Sequence, residues 1–162
     1  MNSTVEKWRM HEITFTSVVG YDSPFDEAEL SVTFTGPQGG QLVRPGFWYG
    51  KNIWKVRIAL TELGEWSYKT VCSDRSNDGL HGQTGMITCV PYSGELEIYR
   101  HGFLKVGENK RHFAHADGTP FFYLGDTHWF LPHEKFDHSG VEGVPSQFKY
   151  MVDKRVSHGF TV

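Results

Sequence analysis

The stretch H-A-D-G-T-P-F-F-Y-L-G-D-T-H-W, His115 to Trp129, decides how the chain is read. A turn at Asp117-Gly118 opens onto an apolar run, Phe121 to Leu124, with Pro120 at its mouth. The run stops at Gly125 and gives way to Asp126, Thr127, His128 and Trp129. A run apolar on both faces predicts a strand buried on both sides, as in a parallel sheet covered by helices. Carboxylate, hydroxyl, imidazole and indole at its carboxyl end stand where parallel α/β folds place ligand-binding groups. After a loop, Pro145-Ser146 opens a segment in which Phe148, Met151, Val152 and Val156 recur at helical spacing. Gly159 supplies the stop, and Phe160-Thr161-Val162 begins a further apolar run. Strand, helix, strand is the first repeat of an α/β unit.

Asp126 reads evenly in two ways. It caps neighbouring backbone as a structural acceptor, or it grips substrate hydroxyls with His128 as a second hydrogen-bonding group and Trp129 as a stacking wall. Just upstream, Gly102 to Val106, a turn at Gly107-Glu108-Asn109 and His112 to Ala114 predict a hairpin. Of the nine histidines, six fall between His101 and His138, which raises the question of a metal. His112-x-x-His115 has helical ligand spacing but falls on a strand or turn. His128, His133 and His138 are five apart, which aligns them on neither helix nor strand. Asp126, His128 and Asp137 could converge only through the fold. With no H-E-x-x-H motif and no paired cysteines, a polar pocket on loops outweighs a metal site. No metal and no cofactor is expected. No serine elbow or phosphate loop is present to support acyl-enzyme or nucleotide chemistry.

The first hundred residues follow another period. Leu30, Val32 and Phe34 alternate with Ser31, Thr33 and Thr35, and Trp54, Val56, Ile58 and Leu60 alternate with Lys55, Arg57, Ala59 and Thr61. Trp66, Tyr68, Thr70 and Cys72 make a third set, Ile87 and Cys89 a fourth. Period two means one face buried and one wet, the pattern of an antiparallel sheet. Turn signals at Gly36-Pro37, Gly39-Gly40, Gly50-Lys51-Asn52, Leu63-Gly64-Glu65 and Asn77-Asp78-Gly79 divide the runs. About seven strands at this spacing predict an immunoglobulin-like antiparallel β-sandwich over residues 1–98. No helix of useful length is expected before residue 140. Cys72 and Cys89 are read as inward-facing free thiols. Phe47-Trp48-Tyr49 cannot all point inward on a strand, so at least one is outside or under a neighbour. Core and seam filling outweighs a sugar-stacking platform there.

The 162 residues hold one domain, or a small one plus a piece of another, and 38% apolar with 15% aromatic content supports a packed core. A net charge of -3 makes no case for nucleic acid. No apolar run approaches the roughly 20 residues of a membrane span. The N-terminus shows no signal peptide, so the cytoplasm is the expected compartment unless a leader was removed upstream.

The motifs then fall into a familiar order. V-E-K-W-x-x-x-E-I-T-F from Val5, S-P-F-D from Ser23 and E-L-S-V-T-F-T from Glu29 resemble a sandwich domain of unknown function. So do P-G-F-W-Y-G from Pro45, W-K-V-R-I from Trp54 and L-G-E-W-S-Y-K-T from Leu63. That domain precedes glycoside hydrolases whose catalytic domain is an apiosidase-like (β/α) barrel, and His112 to Trp129 resembles the hairpin and first strand of that barrel. The resemblance covers nearly the whole chain, and the ordered pair is more specific than either half.

The resemblance implies that residues 99–162 are the hairpin, first strand and first helix of an incomplete (β/α)8 barrel. It places Asp126, His128 and Trp129 at the barrel mouth, near the sugar. The sandwich becomes a structural or carbohydrate-contacting accessory domain, and the intact enzyme's partner an oligosaccharide substrate. A glycosidase needs two carboxyl groups about 5–5.5 Å apart for retention or about 6.5–9.5 Å for inversion. The resemblance puts them on later strands, so no catalytic residue is assigned within the chain. A barrel takes about 250 residues, and the expectation is therefore a catalytically incomplete N-terminal piece of a hydrolase. Its uncovered faces predict that residues 120–162 pack on the sandwich, self-associate with a second copy, or order poorly. The competing readings are a non-catalytic carbohydrate-binding or protein-interaction sandwich, and a small metalloprotein built on the histidines.

Overall fold

A computed structural model describes residues 2–127, 129, 142–144 and 146–162. The protein is mainly β, with several sheets, in two units: Met1–Phe103 and Leu104–Val162.

The first unit has eight strands, one more than the turn spacing suggests: β1 (Asn2–Glu6), β2 (Met10–Thr16), β3 (Leu30–Thr35), β4 (Gln41–Pro45), β5 (Phe47–Gly50), β6 (Ile53–Ala59), β7 (Gly64–Cys72) and β8 (Thr84–Val90). A short helical turn, α1 (Pro24–Glu27), interrupts them, and a second, α2 (Glu97–His101), follows β8. One sheet runs β1-β8-β7-β3-β4 and another β2-β6-β5. The period-two residues do what the alternation requires. Leu30, Val32 and Phe34 of β3 are buried between half-exposed Ser31, Thr33 and Thr35. Trp54, Val56 and Ile58 of β6, and Trp66, Thr70 and Cys72 of β7, are buried in the same way, with Tyr68 half-buried. Side chains from both sheets meet in one apolar cluster: Val32, Phe34, Trp66 and Ile87 from the larger, Phe15, Trp54, Val56 and Ile58 from the smaller. Each large side chain so buried contributes at most about 1.5–3 kcal/mol. This cluster is what holds the unit together.

One pairing departs from the antiparallel expectation. β1 lies parallel to β8, from Asn2↔Met86 to Glu6↔Val90. Alternation reports which face is buried and is silent on strand direction, so the inward-facing Val5 fits either sense. A second feature sits at one end of the core. Asn77, fully buried, donates from Nδ2 to Ser17 Oγ (2.7 Å) and Tyr21 Oη (2.8 Å), and accepts from Val18 N at 3.2 Å. These bonds fasten the loop after β7 to the end of β2, and they satisfy a polar group that water does not reach.

Cys72 and Cys89 are buried and free. Burial pushes both thiols up, the opposite of what activates a nucleophile. In the aromatic triplet, Tyr49 is the one outside, 61% exposed, with Lys55 Nζ 3.8 Å from its ring centroid. Trp48 packs against the core cluster, meets Phe25 edge-on at 5.1 Å, and donates from Nε1 to Lys51 O at 2.8 Å.

The second unit begins with a sheet of β9 (Leu104–Val106), β10 (Phe113–His115) and β11 (Pro120–Phe121), in the order β11-β10-β9 and antiparallel throughout. The hairpin read at residues 102–114 is therefore present. Its turn is closed by Gly107 N donating to His112 O at 2.7 Å. The helix read from Pro145-Ser146 onward is α3 (Gln147–Ser157). Ser146 Oγ caps it by accepting from Lys149 N at 3.1 Å, and Lys154 and Arg155 in the last turn complement its dipole.

The apolar run after Pro120 is corrected. Only Pro120–Phe121 is strand, and its partner is the antiparallel β10. Phe122 and Tyr123 stand 74% and 55% exposed. A strand buried on both faces needs layers on both faces, and none covers these residues among those described.

Candidate functional site

The site is built where the segment after β11 meets the end of the chain. Leu124 O accepts from Thr161 N (2.9 Å) and Val162 N (3.1 Å), Thr161 Oγ1 accepts from Leu124 N at 2.9 Å, and Thr161 Oγ1 donates to Phe122 O at 2.6 Å. The two apolar runs thus lie side by side with α3 between them in sequence. Gly125 permits the approach: a Cβ there would meet Val162 O at 3.2 Å. Asp126 follows directly, at the open end of this pairing.

Asp126 has a partner that the sequence did not single out. Arg155 Nε donates to its Oδ2 at 2.6 Å. Arg155 is fixed from its own side by the helix terminus. Phe160 N donates to Arg155 O and Gly159 N to Val156 O, both at 3.0 Å, the two bonds of a Schellman cap. The cap turns at Gly159, whose φ of 79° suits a residue without Cβ. Phe160 then comes back beneath the guanidinium, its ring centroid 5.2 Å from Cζ. Asp126 and Arg155 face an open groove of about 420 Å³ whose other walls include Phe148, Met151, Val152 and Val156.

A signal for Arg155 was present. Phe148, Met151, Val152 and residue 155 occupy one helix face, so a guanidinium stands where the pattern calls for an apolar side chain. That kind of exception marks a specific partner.

The other expected site residues divide. Trp129 is 82% exposed and makes no ring contact among the described residues. His128 lies outside the described residues, as do His133, His138 and Asp137. His112 Nδ1 lies 2.8 Å from Asn109 Oδ1, within its turn, and buried His115 packs edge-on to Phe121 at 5.3 Å. The described residues hold no group of three or more potential metal ligands. A larger groove of about 670 Å³ lies on the first unit beside Phe25, Leu30, Trp48 and Val71. It is mostly apolar, with Glu29, Ser31 and Ser73 as its polar neighbours, and offers less directed chemistry than the Asp126–Arg155 pair.

Comparison with known proteins meets the geometry from the other side. Residues 4–73 match the family described as "Domain of unknown function (DUF5060)". Residues 107–162 match the family described as "Apiosidase-like, catalytic domain". No curated protein matches the chain. Among solved structures, it is similar to "a putative glycoside hydrolase from Bacteroides vulgatus ATCC 8482", with 27% identity and a TM-score of 0.64. The match covers 86% of this chain and 24% of that one, so the chain spans about a quarter of its relative's length. The chain thus matches two family models in order, the DUF5060 domain over residues 4–73 and the apiosidase-like catalytic domain over residues 107–162.

Proposed function

We propose that this chain is part of a glycoside hydrolase acting on an oligosaccharide. Its first unit is an immunoglobulin-type sandwich serving as an accessory domain, and its second is the first βα unit of a (β/α) barrel. The observation that carries the proposal is Asp126. It stands at the end of the segment that pairs with residues 161–162, inside the part matching an apiosidase-like catalytic domain, and Arg155 holds it. In that position its carboxylate accepts a hydrogen bond from a sugar hydroxyl, while His128 and Trp129 complete the subsite. The hydrolytic carboxylate pair is assigned to residues outside these 162, in keeping with the 24% of the Bacteroides vulgatus chain that the match spans.

Two features support the architecture. The order β2-β6-β5 beside β8-β7-β3-β4 corresponds to strands B-E-D and G-F-C-C′ of an immunoglobulin-type sandwich, with β1 added next to G. In the second unit, α3 connects two segments bonded to each other at Leu124 and Thr161, the connectivity of a βαβ unit. A second reading, in which the sandwich itself contacts carbohydrate, is favoured by the groove beside Phe25 and Trp48.

The test is release of reducing sugar from an oligosaccharide panel by the full encoded polypeptide. The native protein is expected to hydrolyse at least one member, and Asp126→Ala to lose about 10–100-fold in kcat/KM on it. Hydrolysis untouched by Asp126→Ala would remove Asp126 from the site. No hydrolysis of any member would count against the hydrolase.

A further inference from the structure

Asp126 has two carboxylate oxygens, and the fold engages one of them. Arg155 Nε binds Oδ2, while Oδ1 has no partner among the described residues. The arginine is likewise half used. Its side-on contact through Nε leaves both terminal NH2 groups without a hydrogen-bond partner among the described residues. The pair is open to solvent, the side chains 37% and 41% exposed for Arg155 and Asp126. Yet it is not a loose surface ion pair. The Schellman cap at Gly159 fixes the Arg155 backbone, and the Phe160 ring and the Asp126 carboxylate hold its guanidinium from two sides before any ligand arrives.

A free anionic acceptor beside free planar donors is a specific pattern. A single hydroxyl would use one half of it. An isolated carboxylate ligand would be repelled by Oδ1, and an ammonium would be repelled by the guanidinium. A vicinal diol satisfies both halves: one hydroxyl donates to Oδ1 while its neighbour accepts from a guanidinium N–H. Resting on the reading of Asp126 as a sugar contact, we infer that Asp126 and Arg155 together form a clamp for a vicinal diol of the bound sugar. Arg155 then has two tasks, orienting Asp126 and donating to the second hydroxyl. Lysine cannot do both, because its ammonium is a point charge without the planar fork.

The experiment uses the full encoded polypeptide and, as probes, methyl pentosides and hexosides, with NMR signals of Arg155 Nε–Hε and Asp126 Cγ as readout. At least one glycoside should shift both signals, and its deoxy analogue lacking one hydroxyl of the diol should bind about tenfold more weakly. Arg155→Lys and Asp126→Asn should each weaken the intact glycoside about tenfold with the melting temperature held. Phe160→Leu, which loosens the guanidinium but removes neither hydrogen-bonding group, should give a smaller loss and serves if Arg155→Lys does not fold. Binding that shifts both signals but ignores both the deoxy change and Arg155→Lys would overturn the clamp and leave Asp126 as a sugar contact. Binding that ignores Asp126→Asn would overturn the Asp126 reading itself. Absence of binding by any glycoside, with the Arg155 signal still moved by Asp126→Asn, would make the pair purely structural; the hydrolase reading would then stand or fall by the reducing-sugar assay.

Discussion

The two units treat their apolar residues in opposite ways. In the first, Val32, Phe34, Val56 and Trp66 disappear between two sheets that the same hundred residues supply. In the second, Phe122, Tyr123, Val156 and Val162 are exposed although they occupy equally regular patterns. Periodicity names the face of a strand or helix that is meant to be covered. It does not supply the cover. In the first unit strand pairing and core form a closed set, whereas α3 presents its apolar side to an open groove beside Asp126 and Arg155.

The largest test of that contrast is truncation of matched aromatic residues. Trp66→Ala should cost about 3–5 kcal/mol in chemical unfolding of the chain, because the cavity opens in a packed core. Phe122→Ala, at an exposed position, should stay within about 0.5 kcal/mol. Equal losses would erase the distinction between the units. Next in size is the buried amide. Asn77→Ala leaves the Val18 N–H without its acceptor and takes one donor each from Ser17 Oγ and Tyr21 Oη, and should cost about 1–3 kcal/mol by the same measurement. Gly159→Ala should destabilise by about 1 kcal/mol, since its φ of 79° is strained for alanine, and the Arg155 Nε–Hε resonance should move with it.

The smallest effect is a pH dependence of the first unit. Hydrogen bonds from Lys55 and Arg57 hold the Glu12 carboxyl below its ordinary 4.5. Bonds from Ser76 and then Tyr21 hold Asp74 below 3.8. The unfolded chain therefore takes up these protons first, and the stabilisation, complete above the ordinary values, is lost as pH falls through the depressed ones. Burial depresses His11 below 6.5, so its contribution also declines as pH drops from that value. Melting temperature should fall gently from about pH 6.5 and further below the carboxylate range. Glu12→Gln should flatten the lower part of the curve.

How much of this was legible in the sequence depended on range. The alternation of β3 and β6 and the cap residues Ser146 and Gly159 act within a few residues of themselves, and they were readable. Asp126 was found because a carboxylate ends an apolar run. Its partner Arg155 lies 29 residues away, and Asn77 meets Ser17 across 60, so neither contact leaves a local trace beyond a polar residue in an apolar slot. The parallel sense of β1 was invisible because burial patterns carry no direction. The four-residue buried strand was over-read for the reason the comparison teaches: an apolar run marks faces that can be buried, and no layer covers this one among the described residues.

Residue-resolved amide hydrogen exchange, on the 162-residue chain and on the full encoded polypeptide, separates the two units most directly. Strong protection is expected in β3, β6 and β7 of both samples, near the global unfolding limit. α3 should exchange quickly in the 162-residue chain and become protected in the full polypeptide, where the proposed barrel covers its apolar face. Equal protection of α3 in the two samples would contradict its assignment to the helical layer of a barrel, and with it the place given to Asp126.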